Sequence, residues 1–123
     1  MAVVVDASAV AAVVFGEPGR EAVRRELRGQ PLYAPSLIDY ELTNVAWKKL
    51  RRTPSDAAAI LEALGTVVRL GVIHTQPDMV QVLALASATG LTTYDASYLW
   101  VAKSLGVALV TLDRELARAA ERL

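Results

Sequence analysis

The chain has no cysteine and only one histidine. That excludes a disulfide framework, a thiolate metal site and a zinc centre built on paired His or Cys ligands. Aromatic residues make up 6% of the sequence, with a single phenylalanine, so the core must be aliphatic. Neither sign of charge is in excess, with 13 Lys and Arg against 13 Asp and Glu. Such a chain is not built to hold nucleic acid by bulk electrostatics, although a nuclease needs only a local basic rim. No apolar run approaches the roughly 20 residues of a membrane-spanning helix. The first residues lack the basic start and cleavage site of a signal peptide. A cytoplasmic protein without membrane contact is expected. The sequence has no linker, repeat or low-complexity stretch. Its 123 residues are read as one domain, long enough for a core of its own. Hydrophobic residues reach 54%, mostly Ala, Val and Leu, which points to some apolar surface buried against another chain.

The organising stretch is Val3-Val4-Val5-Asp6. A short, β-branched, wholly apolar run fits a strand buried on both faces of a parallel sheet. It ends in a carboxylate, at the edge where open α/β sheets bind their ligands. Ser8 then caps a helix over Ala9 to Phe15, and a second helix runs from Gly19 to Arg28. Leu32-Tyr33-Ala34 reads as the second strand. A long helix follows over Leu37 to Arg52, with Ser36 and Asp39 resembling a capping box. Thr53-Pro54 opens a helix to about Arg69, and Gly71 to His74 is a third short strand. Pro77 opens a helix to Thr89, closed by Gly90. Asp95 caps a helix through Ser104, Val107 to Val110 is the fourth strand, and a last helix follows Asp113. Strand and helix alternate throughout. That predicts an α/β fold, a three-layer α/β/α sandwich with a parallel sheet of about four strands. The first strand is expected centrally, beside the second and fourth.

Four acids then face one edge of the sheet. Asp6 and Asp113 end strands, while Glu41 and Asp95 lie near the starts of helices. Clustered carboxylates repel and need a compensating cation. Hard oxygen ligands without His or Cys favour Mg²⁺ or Mn²⁺ over zinc. A divalent ion there serves hydrolysis of a phosphodiester. The plainer alternative is that Asp95 and Asp113 are ordinary helix caps. Asp6 is harder to dismiss, because a buried strand end is a costly place for a charge.

Four motifs carry a family resemblance. They are the Val-Val-Asp-Ala-Ser start, Tyr40 to Val45, Tyr94 to Leu99, and Leu109 to Asp113. In this order and spacing the chain resembles the PIN domain, and most closely the VapC-type toxins of prokaryotic toxin–antitoxin pairs. The resemblance covers the whole chain. It implies that Asp6, Glu41, Asp95 and Asp113 form an acidic metal site, with Ser8, Thr111 and Asn44 in support. It also implies Mg²⁺- or Mn²⁺-dependent endoribonuclease activity, a homodimer, and an antitoxin that covers the site. Family members commonly carry a further short strand after the last helix, and none is expected here. Two alternatives stay open: a PIN-like RNA-processing nuclease without an antitoxin, and an inactive PIN-like interaction module.

Other residues divide the same way. Arg20, Arg24, Arg25 and Arg28, and Lys48, Lys49, Arg51 and Arg52, are either solvated helix faces or a rim for RNA phosphates. Lys48 is the best RNA-binding candidate, because it shares a stripe with Glu41 and Asn44. His74 reads as structural or surface. Tyr98 lies one turn after Asp95 and either packs in the core or stacks on a base. Tyr40 and Trp47 either pack internally or face a dimer mate or antitoxin.

Overall fold

A computed structural model describes the chain from Met1 to Leu123. Strand β1 (Val3–Val5) is buried throughout and has a parallel neighbour on each side. It pairs with β2 (Leu32–Ala34) through Val3 opposite Leu32, and with β4 (Ala108–Val110) through Val5 opposite Val110. The two-residue β3 (Ile73–His74) pairs with β2, giving the order β3-β2-β1-β4. The sheet is wholly parallel, with the first strand beside the second and fourth as expected.

Seven helices cover it. Helix α1 (Ala7–Phe15) packs with α2 (Arg20–Leu27), α3 (Leu37–Arg52) and α4 (Ala57–Gly65). Helix α6 (Thr93–Leu105) lies over β1, β2 and β4 and packs with α5 (Met79–Thr89) and α7 (Arg114–Glu121). The result is the three-layer α/β/α arrangement. The shared core is aliphatic except for Tyr98, its largest fully buried side chain. Ile38 and Leu42 seat α3, and Val10 seats α1.

The helix starts differ from expectation in an instructive way. Helix α1 begins at Ala7, and its cap is Asp6, whose carboxylate accepts from the Ala9 N–H at 3.0 Å. Ser8 lies inside the helix. Helix α6 begins two residues before Asp95. Its cap is Thr92, whose hydroxyl accepts from the Asp95 N–H at 3.1 Å. Asp95 is therefore a first-turn acid, its side chain released from capping. No box forms at Ser36, which already has helical φ and ψ of −59° and −19°. Asp39 bonds His74 Nε2 at 3.2 Å instead. Helix α5 begins at Met79, two residues after Pro77, and Asp78 caps it through the Gln81 N–H. Asp113 caps α7 as expected, accepting from the N–H groups of Glu115 and Leu116.

The expected helix from Thr53 to Arg69 is broken into three parts. A 3-10 turn over Pro54–Asp56 precedes α4, and a second over Thr66–Leu70 follows it. Gly65 and the β-branched Thr66-Val67-Val68 weaken an α-helix where it would have to continue. The Thr53 hydroxyl donates back to the Lys49 carbonyl at 3.1 Å and caps nothing ahead of it.

Candidate active site

Parallel strands deliver their last residues to one edge, and three chain segments meet there. The Asp6 side chain is 5% exposed at the end of β1. Its Oδ1 accepts from the Ser8 hydroxyl at 2.7 Å as well as from Ala9. Its Oδ2 accepts from the Thr111 hydroxyl at 2.5 Å. Ser8 Oγ also accepts from the Leu112 N–H at 2.9 Å, and Thr111 Oγ1 from the Asp113 N–H at 3.0 Å. The ends of β1 and β4 are thus laced together around one carboxylate. Ser8 and Thr111 are the two hydroxyl residues that form this lacing.

Burial pushes the Asp6 carboxyl above its usual value. The bonds from Thr111, Ser8 and Ala9 oppose that rise, and the nearby Asp113 charge adds to it. Asp95, half-buried on α6, is pushed up to about 6. Burial is the main cause, followed by the charges of Asp113, Glu41 and Asp6. These acids therefore share one electrostatic field, although each comes from a different element. Glu41 is half-buried on α3, and its Oε1 accepts from the Tyr98 hydroxyl at 2.5 Å. Burial, then the bond to Glu41, raises the Tyr98 phenol well above its usual range, so it stays a donor.

The four acids do not close on a single point: no trio of acidic or imidazole groups converges to ligand distance. Mutual repulsion and the anchoring bonds account for that spread. Each acid nevertheless keeps an oxygen with capacity to spare. Asp113 uses only Oδ1 for its cap, Glu41 only Oε1, and Asp95 neither oxygen. Asp6 Oδ2 carries one donor and retains a second lone pair. An all-oxygen set of this kind, repelling and partly buried, fits a hard divalent cation. A hollow of about 620 Å³ between α6, β4 and α7 includes Thr111 but none of the four acids.

Asn44 and Lys48 lie along α3 beyond Glu41, both exposed, and neither side chain bonds an acid. Lys49 is withdrawn from any rim by Glu17 at 2.6 Å and by the Phe15 ring. Tyr40 and Trp47 are exposed at 76% and 55%, so they do not pack internally. Arg51 sits over the Trp47 ring at 5.8 Å. Tyr98 packs in the core, and its hydroxyl reaches Glu41 at the site. The signal was present, since Tyr98 lies one turn from Asp95 on the same helix. Its partner, 57 residues away, was not readable.

The PIN domain family model matches residues 3–122. Ribonuclease VapC3 of Pyrobaculum aerophilum is 37% identical over 122 residues, covering 95% of this chain and 93% of that protein. Exonuclease VapC9 of the same organism is 44% identical over 80 residues, covering 65% of this chain and 60% of the relative. The crystal structure of PAE2754, also from Pyrobaculum aerophilum, superposes with a TM-score of 0.78 at 36% identity. That match covers 98% of this chain and 87% of the other. With agreement over nearly its whole length, the chain belongs to the PIN domain family, among its VapC-type members.

Proposed function

We propose that this protein is a divalent-metal-dependent endoribonuclease and the toxin of a toxin–antitoxin pair. The observation that carries this reading is the gathering of Asp6, Glu41, Asp95 and Asp113 along one sheet edge, each with acceptor capacity to spare. The ribonuclease name of the relative matched over 93% of its length supports the substrate class. Asp6, Asp95 and Asp113 hold Mg²⁺ or Mn²⁺, and Glu41 completes the shell or orients the attacking water. When bound, such an ion lowers the pKa of a coordinated water and offsets charge on the phosphoryl oxygen. Ser8 and Thr111 fix Asp6, and Asn44 supports the site from α3. Lys48 guides the RNA backbone toward the acids.

The exposed apolar side chains fit the partners expected of such a toxin. Met79, Val80 and Leu83 of α5 are exposed at 82%, 76% and 64%. Large apolar groups grouped on one helix are a usual mark of an interface, here with a second copy. A cognate antitoxin covers the acids. No helix is long and apolar enough to cross a membrane.

The test is cleavage of linear and circular RNAs with Mg²⁺, Mn²⁺ or EDTA, by the native protein and by Asp6→Asn. Asparagine keeps an acceptor for the α1 cap, so the variant should fold. Ion-dependent cutting of the circle, lost in the variant, supports the proposal. Cutting of linear RNA alone would make the enzyme an exonuclease. Equal behaviour of both proteins would refute a metal-dependent site and favour an interaction module.

A further inference from the structure

Tyr98 is 1% exposed and lies within the main apolar cluster. A phenylalanine would fill that space without a hydroxyl to satisfy, and a buried hydroxyl costs free energy unless bonded. Here the hydroxyl has one partner, Glu41 Oε1 at 2.5 Å, and Glu41 makes no other side-chain bond. The other anchored acids have local donors, to which Thr111 adds a distant one at Asp6. Asp6 and Asp113 each accept backbone N–H groups within three residues of themselves. Glu41 is longer, sits inside a helix, and has no such local donor. Its position relative to the other acids therefore depends on a bond from another element. That donor comes from α6, three residues after Asp95, so one rigid helix carries both the Asp95 carboxylate and the group that fixes Glu41.

We infer that Tyr98 is a positioning residue of the metal site: its hydroxyl ties down Glu41 Oε1 and leaves Oε2 as the oxygen available to the ion or its water. This rests on the reading of the four acids as a divalent-ion site. Groups that orient a ligand from behind typically contribute about 10- to 100-fold in metal affinity or activity. Tyr98→Phe keeps the ring and its packing and removes only this bond.

The experiment is a calorimetric Mn²⁺ titration of the native protein, Tyr98→Phe, Glu41→Gln and the double variant, with melting temperatures recorded for each. RNA cleavage at low and saturating Mn²⁺ is measured in parallel. The expected result is a Mn²⁺ Kd about 10-fold weaker in Tyr98→Phe. Cleavage by that variant should recover in part at high Mn²⁺. Adding Tyr98→Phe to Glu41→Gln should cost little further, because the carboxylate it positions is already gone. Unchanged Mn²⁺ binding in a folded Tyr98→Phe overturns the inference, as does an equal loss in both backgrounds. If Tyr98→Phe does not fold, Glu41→Asp draws the carboxylate back from the hydroxyl and takes its place, and native-like Mn²⁺ affinity there overturns the inference. Absence of Mn²⁺ binding by the native protein overturns the underlying metal-site reading and this inference together. Native binding with an unaffected variant overturns this inference alone.

Discussion

The Thr111 hydroxyl is the group on which the lacing of β1 to β4 most depends, and Thr111→Val isolates it. Valine matches the shape of threonine, so packing is nearly preserved. Two bonds are lost. One is donated to Asp6 Oδ2 at 2.5 Å, and the other accepts from the Asp113 N–H at 3.0 Å. Hydrogen bonds to charged groups contribute about 1.5–3 kcal/mol. Thr111 is half-buried, so water replaces part of what is lost, and a cost near the low end is expected, about 1.5–2 kcal/mol. At about 2.1 cal/mol/K of unfolding entropy per residue, that lowers the melting temperature by about 6–8 °C.

The pH dependence identifies the cause. Burial already raises the Asp6 carboxyl above 3.8 in the folded state, and the Thr111 bond opposes that rise. Removing the bond raises the folded value further and leaves the unfolded value alone. The penalty therefore attaches to the ionised form. It should be full at about pH 8 and shrink as pH falls through the folded pKa of Asp6, a window that begins above the unfolded carboxylate value. Melting curves of both proteins, taken in EDTA from about pH 8 to about pH 4, measure it. A penalty below about 0.5 kcal/mol, or one constant across that range, refutes the account.

Asp95 makes a second pH prediction. Its carboxyl is pushed up to about 6, chiefly by burial and then by the charges of Asp113, Glu41 and Asp6. Ionising it costs the ion-free native state, so its favourable contribution is lost as pH rises from 3.8 through about 6. A bound cation reverses that cost. Mn²⁺ binding near this pH should release roughly half a proton, read from calorimetry in buffers of different ionisation enthalpy, and Asp95→Asn should abolish the release. No buffer dependence would place Asp95 outside the ion's reach. Gly19 has φ +92°, and a Cβ there would sit 3.1 Å from Leu112 Cδ1. Gly19→Ala should destabilise the protein by about 1–2 kcal/mol in urea unfolding, through left-handed strain at the start of α2. A neutral result would mean that this turn relaxes freely.

Much of the fold is readable because its signals are local. Val3-Val4-Val5 reads as a strand buried on both faces and is one, and its terminal acid lies at the carboxyl edge of the sheet. The glycine stops after Phe15, Thr89 and Leu105 are equally local, since each adopts the left-handed conformation that ends a helix. What sequence reasoning misplaced falls where two local signals compete. Both Thr92 and Asp95 can cap a helix, and the Thr-x-x-Asp spacing favours the earlier residue. Both Asp6 and Ser8 can cap α1, and the strand end decides for Asp6. Partners distant in sequence were beyond reach. Nothing near His74 announces Asp39, 35 residues earlier, and nothing near Tyr98 announces Glu41.

The opposition between helix caps and metal ligands, on which the sequence reading turned, dissolves in the geometry. A carboxylate has two oxygens, and a cap needs one. Asp113 caps α7 through Oδ1 and keeps Oδ2 free, while Asp6 caps α1 through Oδ1 and keeps a lone pair on Oδ2. Capping also makes the cluster tolerable. Helices α1 and α7 begin at these two acids, and α6 begins beside Asp95, so three helix N-termini face the same edge. Each N-terminus carries about half a positive charge, which offsets part of the repulsion among the anions. The remaining strain shows in the raised carboxyls of Asp6 and Asp95, and a divalent cation is the group that would relieve it. The caps are how the fold keeps these carboxylates together and fixed, with acceptor capacity left over.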